Sequence, residues 1–138
     1  MQLRYYIDTS IWMDLYEGRN GYNNEPLGEY AFKLFSNIKL KGGRIVISYF
    51  LLQELNRYYT SDEINSMLMP FLGIIDNIPI SQTQYEQARI IADERGIPKG
   101  DVLHAIVARD NNFILITRDN HFRNLRDISQ SYAPEELI

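Results

Sequence analysis

Short β-branched runs alternate with longer stretches of helical periodicity along the chain, the pattern of an α/β fold. Arg4-Tyr5-Tyr6-Ile7 reads as a first strand, and Arg44-Ile45-Val46-Ile47-Ser48 is a run of the kind buried in a parallel sheet. Residues 77–80 and 113–117 supply two more strands. Between the first two strands, segment 27–41 carries Tyr30, Ala31, Leu34, Phe35 and Ile38 at helical spacing and stops at Gly42-Gly43. Segments 49–59 and 61–76 also read as helices, the second kinked or broken at Pro70. Ser81 and Gln84 form a capping box for a helix that runs to Arg95 and ends at Gly96. The last helix, Gly100-Asp101-Val102-Leu103-His104-Ala105-Ile106-Val107-Ala108, is apolar nearly all round and so is expected to be buried. Residues 17–25, rich in Gly and Asn, form the one loop of notable length.

The length, 138 residues, is that of one domain able to bury its own core, so a single domain over 1–138 is expected. With 45% hydrophobic and 23% charged residues the chain is not disordered by composition. The absence of cysteine excludes a disulfide framework, a thiolate zinc site and a Cys nucleophile. The opening residues lack the apolar stretch of a secretory signal and no apolar run reaches membrane-spanning length, which gives a cytoplasmic expectation without membrane association. A net charge of −4 is a poor match for a protein that grips a polyanion through its overall field. Four carboxylates gathered at one place account for that sum, and two divalent ions would cancel it.

In an open α/β sheet, ligands bind beyond the carboxyl ends of the strands, and that is where the acids fall. Asp8 follows the first strand directly and Asp119 follows the last by two residues. Glu54 lies six residues past the second strand, raised only about 9 Å along its helix. Asp101 opens the buried helix. Each except Asp8 has a ready structural alternative: an N-cap for Asp101, a solvated face for Glu54 and a turn for Asp119. A carboxylate at the end of a central strand, as at Asp8, is the one expected to have little structural purpose.

Taken together, Ile7-Asp8-Thr9-Ser10, Leu52-Gln53-Glu54-Leu55, Pro98-Lys99-Gly100-Asp101-Val102-Leu103-His104-Ala105 and Thr117-Arg118-Asp119-Asn120-His121-Phe122 resemble the PIN domain, in particular its VapC-type toxins. The similarity spans nearly the whole chain, including the ending Ala133-Pro134-Glu135-Glu136-Leu137-Ile138. It implies a central parallel sheet flanked by helices, with Asp8, Glu54, Asp101 and Asp119 converging to bind Mg²⁺ or Mn²⁺ for hydrolysis of RNA. It also implies an antitoxin protein as partner and a homodimer. By the same resemblance Ser10 and Thr117 are supporting hydrogen-bonding residues, and His104 and His121 match polar positions whose expected role is structural. A ring of acids without Cys suits Mg²⁺ or Mn²⁺ better than zinc. Lys99 and Arg118, beside two of the acids, are candidates for holding substrate phosphates.

Two other classes compete. A non-catalytic scaffold on a degenerate nuclease fold would not need all four acids. A phosphatase of the α/β type wants a second Asp two residues after its nucleophile, where this chain has Ser10, and a phosphoacceptor receiver wants an acidic pair after the first strand that is absent.

Overall fold

The computed structural model describes residues 2–138. Its sheet has five strands, all parallel, in the order β3-β2-β1-β4-β5: β1 Arg4–Ile7, β2 Arg44–Ser48, β3 Ile75–Ile78, β4 Ile114–Ile116 and β5 Ser131–Tyr132. The helices are α1 Thr9–Glu17, α2 Leu27–Leu40, α3 Tyr49–Leu55, α4 Ser61–Leu68, α5 Gln82–Arg95 and α6 Lys99–Asn111. Ile7, Ile45, Val46, Leu115 and Ile116 are buried within the sheet, and Trp12, Phe35, Leu51, Leu103 and Ile106 pack over it from the helices. Of the helices, α6 is the most enclosed, with Val102 through Ala108 all buried, as its unbroken apolar sequence requires.

Strand order reverses around β1. The chain passes from β1 to β2 and β3 on one side, then crosses back to lay β4 and β5 on the other. The crevice beyond the carboxyl ends of β1 and β4 is therefore the topological switch point, the place where such sheets bind ligands. Asp8 and Thr117 are the residues that immediately follow these two strands.

Several boundaries differ from the sequence expectation, each for a local reason. The helix expected over 61–76 is α4 followed by a 3-10 helix, Met69–Ile74, with Pro70 near its start, and β3 begins at Ile75 rather than at Asn77. Asp76, which looks out of place in a strand, pairs with Arg44 on β2 at 2.7 and 3.2 Å. The α3 helix stops at Leu55, four residues early. The α6 helix starts at Lys99 behind Pro98, so Asp101 lies in its first turn and is not its N-cap. In contrast Ser81 and Gln84 form the expected reciprocal box, at 3.1 and 2.8 Å. Helix α1 follows Asp8 without a break and closes at Gly18, whose left-handed φ of 62° suits glycine. No described helix is long and apolar enough to cross a membrane.

Candidate active site

Asp8 is only 6% exposed, and its carboxylate accepts hydrogen bonds from the backbone N–H of Thr9 (2.8 Å), Ser10 Oγ (3.1 Å) and Thr117 Oγ1 (2.9 Å). It is the N-cap of α1. The expectation that this acid has little structural purpose is therefore corrected: it joins β1, α1 and the end of β4. Thr117 Oγ1 in turn accepts from the backbone N–H of Asp119 at 3.1 Å, which places the two acids on one hydrogen-bonded unit. Asp119 heads the short 3-10 helix Asn120–Leu125, accepting from His121 N at 2.9 Å.

Asp101 reaches the same crevice from α6. His121 Nδ1 lies 2.8 Å from its Oδ2 and 3.1 Å from Asp119 Oδ1, so the imidazole bridges the two carboxylates. Partial burial pushes Asp101 up to a pKa of about 6, and the charges of Asp119 and Asp8 push in the same direction against the hydrogen bond from His121. The neighbouring acids in turn raise His121 above its ordinary value, the hydrogen bond to Asp101 first and the charge of Asp119 next.

Glu54 joins through a buried hydrogen-bonded chain that runs through His104, Tyr6 and Ser48. His104 Nε2 lies 2.5 Å from Glu54 Oε1 and 4.0 Å from Asp8 Oδ1, while its Nδ1 lies 2.7 Å from Tyr6 Oη, which is 2.8 Å from Ser48 Oγ. As a carboxylate Glu54 only accepts, so Nε2 carries a hydrogen, and the Tyr6 hydroxyl completes Nδ1 in either protonation state. Burial alone would lower His104; the hydrogen bond and charge of Glu54, with Asp8 and Asp101, outweigh it and raise the imidazole. The other oxygen of Glu54 faces the start of α6, where a Cβ built on Gly100 would lie 3.1 Å from Oε2. Glu54 is thus clamped between His104 and the α6 backbone instead of lying on a solvated face. Its only sequence hint is His104 three residues after Asp101, and the contact across fifty residues exists only in the fold.

Two groups of possible ligands adjoin each other. One ligand atom from each of Asp8, Glu54 and His104 lies within 4.8 Å of the others, and the same holds for Asp101, Asp119 and His121. A donor set dominated by carboxylate oxygens, with one acid raised by burial and by its neighbouring acids, fits a hard divalent cation. Lys99, at the first position of α6, is exposed. Arg118 is not free to meet substrate: its guanidinium binds Glu135 bidentately at 2.7 and 2.7 Å and its Nε approaches buried Asp14 to 3.8 Å. A phosphate there would have to displace Glu135, so the expected phosphate contact is replaced by a brace between the residue before Asp119 and the end of the chain. Asp14, buried and raised by desolvation against the pull of Arg118 and Arg19, was not anticipated from sequence.

A five-stranded parallel sheet with acids gathered at its switch point defines an α/β domain with an acidic crevice that could hold a divalent cation. A sequence model of the PIN domain matches residues 5–128, and the chain belongs to that family. No curated protein matches it. Among solved structures, VapBC2 from Rickettsia felis bound to a promoter DNA fragment is similar at 22% identity, over 88% of this chain and 92% of that one, with a TM-score of 0.60. A toxin–antitoxin complex from Klebsiella pneumoniae is 21% identical over 94% and 96%, with a TM-score of 0.61. FitAcB from Neisseria gonorrhoeae is 19% identical over 96% and 99%, with a TM-score of 0.63. At these identities the likeness establishes a shared fold.

Proposed function

We propose that this chain is a metal-dependent endoribonuclease that hydrolyses RNA phosphodiester bonds in the cytoplasm, as the toxin half of a VapBC-type toxin–antitoxin pair. The convergence of Asp8, Asp101, Asp119 and His104-held Glu54 on the switch point of a PIN-domain sheet carries this reading. PIN domains are generally nucleases, and the toxin–antitoxin complexes that share the fold support an antitoxin partner. A homodimer belongs to the same proposal.

Asp8, Asp101, Asp119 and Glu54 would hold Mg²⁺ or Mn²⁺, directly or through water. A bound divalent cation supplies an acidified water for attack on phosphorus and counter-charge for the phosphoryl oxygens. The chain's own contribution is orientation. Ser10 and Thr117 fix the rotamer of Asp8, Thr117 also fixes the backbone at Asp119, and His104 holds one oxygen of Glu54 so that the other faces Asp101's helix. Such preset geometry removes reorganisation from the reacting step. Lys99, exposed two residues before Asp101, is the proposed contact to substrate phosphate.

The test is cleavage of single-stranded or loop-containing RNA by the purified protein with Mg²⁺ or Mn²⁺, repeated in EDTA and with Asp8→Asn. Cleavage that stops in EDTA and falls steeply in the variant is expected. Full activity in excess EDTA, or an undiminished variant at saturating metal, overturns the mechanism. For the toxin role, the measurement is a co-purifying small DNA-binding protein from the native host; a solitary chain with no such partner refutes it.

A further inference from the structure

The chain carries 18 acidic against 14 basic side chains, and most of its arginines have a carboxylate partner. Seven arginines are paired: Arg4 and Arg44 with Asp76, Arg19 with Glu17, Arg89 with Asp93, Arg95 with Asp127, Arg109 with Asp110 and Arg118 with Glu135. Among the described residues Arg57, Arg123 and Arg126 make no such pair. Two of these three open on the same cavity.

That cavity, of about 330 Å³, is lined by Thr117, Asp119, Asn120, Arg123, Arg126 and Gln130 among others. It is a direct continuation of the candidate active site, since Thr117 and Asp119 belong to both. Its lining is mostly polar, and the side chains of Asn120 and Gln130 have no hydrogen-bond partner among the described residues. Of the two acids that line it, Asp119 belongs to the candidate active site and Glu136 is turned to the backbone N–H of Ala133 at 2.8 Å. Two guanidinium groups without a carboxylate partner and two free amides make an anion-binding surface beside Asp119.

We propose that this cavity is a polynucleotide subsite, in which Arg123 and Arg126 hold a phosphate of the strand next to the phosphate being cleaved. The inference rests on the nuclease reading and deepens it. A cluster of acids neutralised by metal can receive the scissile phosphate, but the next phosphate along the strand has no such counter-charge and would be repelled by Asp119. Fixed cations one step from Asp119 remove that repulsion and set which way the strand runs through the crevice. Arg118, the sequence neighbour of Asp119, also lines the cavity, but its guanidinium already has Glu135 bidentately and Asp14 nearby, which leaves Arg123 and Arg126 as the cations there without a carboxylate partner. Arg123 and Arg126 project from the short 3-10 helix that Asp119 itself caps and from the residue after it, so subsite and acid move as one piece.

The experiment is equilibrium binding of a short fluorescent single-stranded RNA in EDTA, followed by anisotropy over a range of KCl concentrations. It compares the wild type with Arg123→Gln/Arg126→Gln and with Lys39→Gln/Lys41→Gln. The second pair removes the same charge from the end of α2, which leads into the amino end of β2, whereas the cavity adjoins the carboxyl end of β4. Each phosphate no longer neutralised lowers the slope of log Kd against log salt by about 0.7 for a single strand, so the arginine variant, which gives up one, should lose about 0.7 and bind more weakly, while the lysine variant matches wild type. Both arginines are exposed and unpaired, so melting temperatures should not change. An unaltered slope in the arginine variant, an equal loss in the lysine variant, or no RNA binding by wild type overturns the subsite. The nuclease reading is tested separately by cutting the same RNA with Mn²⁺: cutting with an unaltered slope sinks only the subsite, and an arginine-dependent slope without cutting sinks only the nuclease.

Discussion

Asp8 and Asp101 should respond in opposite directions to the same isosteric change, although both are acids of one site. With no metal bound, Asp101 is held at a pKa of about 6 by burial and by Asp119 and Asp8, against 3.8 in the unfolded chain. A carboxylate raised on folding favours the folded state fully below the unfolded value, and that advantage is lost as pH rises through the folded one. At pH 7.5 the loss is complete, and a shift of about 2 units corresponds to about 3 kcal/mol of destabilisation. Asp101→Asn abolishes that cost and gives up a hydrogen bond to half-exposed His121, worth within about 1 kcal/mol. A net gain of about 2 kcal/mol follows, or about 6–8 °C in melting temperature for a domain of this size.

Asp8→Asn has the reverse sign. Three donors besides the Thr9 hydroxyl converge on its two oxygens, so an Asn amide would set its NH₂ against a hydroxyl or backbone N–H in a buried place. The cost is about 1–3 kcal/mol. The assay is thermal melting of wild type and both variants at pH 7.5 and near pH 4, in EDTA and with Mn²⁺. The advantage of Asp101→Asn should shrink to under about 1 kcal/mol near pH 4, where Asp101 is protonated in the folded state and about half protonated in the unfolded chain. A folded-state ligand at about 100 times its dissociation constant adds about 2.7 kcal/mol, and both variants should lose most of that Mn²⁺ response. If Asp101→Asn melts below wild type in EDTA at pH 7.5, the raised pKa is wrong; if it keeps the full Mn²⁺ shift, Asp101 is not a ligand.

Gly100→Ala should leave the melting temperature in EDTA unchanged or higher, because Ala favours a helix by up to about 1 kcal/mol over Gly. Its Cβ would press on Glu54 Oε2 at 3.1 Å and on the Phe50 ring at 3.3 Å, so the Mn²⁺ shift and RNA cleavage should fall; a variant with both intact shows that Glu54 need not hold its place. Tyr6→Phe removes the hydroxyl that serves Ser48 and His104, costs about 1–3 kcal/mol, and should reduce kcat more than it raises KM. A loss of stability with kcat preserved would make the chain a core feature only. Glu135→Gln loosens Arg118 and should weaken the Mn²⁺ shift while costing under about 1 kcal/mol, since the pair is partly exposed; an unchanged Mn²⁺ response would show that the brace does not steady Asp119.

The alternation of elements was legible because buried parallel strands and an all-round apolar helix leave compositional marks: Arg44–Ser48 and α6 need no context to be recognised. What escaped was structure whose cause lies elsewhere in the chain. Strand β5, Ser131–Tyr132, is two residues long and exists because β4 offers it an edge, as in the register Leu115 with Ser131. Strand β3 carries Asp76 because Arg44 on the adjacent strand neutralises it, and no periodicity over 75–78 encodes that. Helix α1 was hidden for the opposite reason. Its cap is Asp8, and an acid assigned to chemistry was not also read as the start of a helix.

That double use separates the acids that sequence places from the supports it does not. Asp8 and Asp119 are caps as well as candidate ligands, so their positions are fixed by the backbone that follows them and appear in sequence as strand ends. Glu54 caps nothing. Its position depends on His104, Tyr6, Ser48 and the missing side chain at Gly100, residues drawn from α6, β1 and β2, and each has an ordinary structural role when met alone. A buried hydrogen-bonded run of this kind costs desolvation that an apolar core would avoid, and its apparent gain is one carboxylate orientation. The same logic explains Arg118: adjacency in sequence to Asp119 suggested a substrate contact, whereas tertiary structure spends its charge on Glu135 and Asp14 and leaves Arg123 and Arg126, farther along the chain, facing the crevice. Neighbours in sequence fix the acids, and neighbours in space decide what they can do.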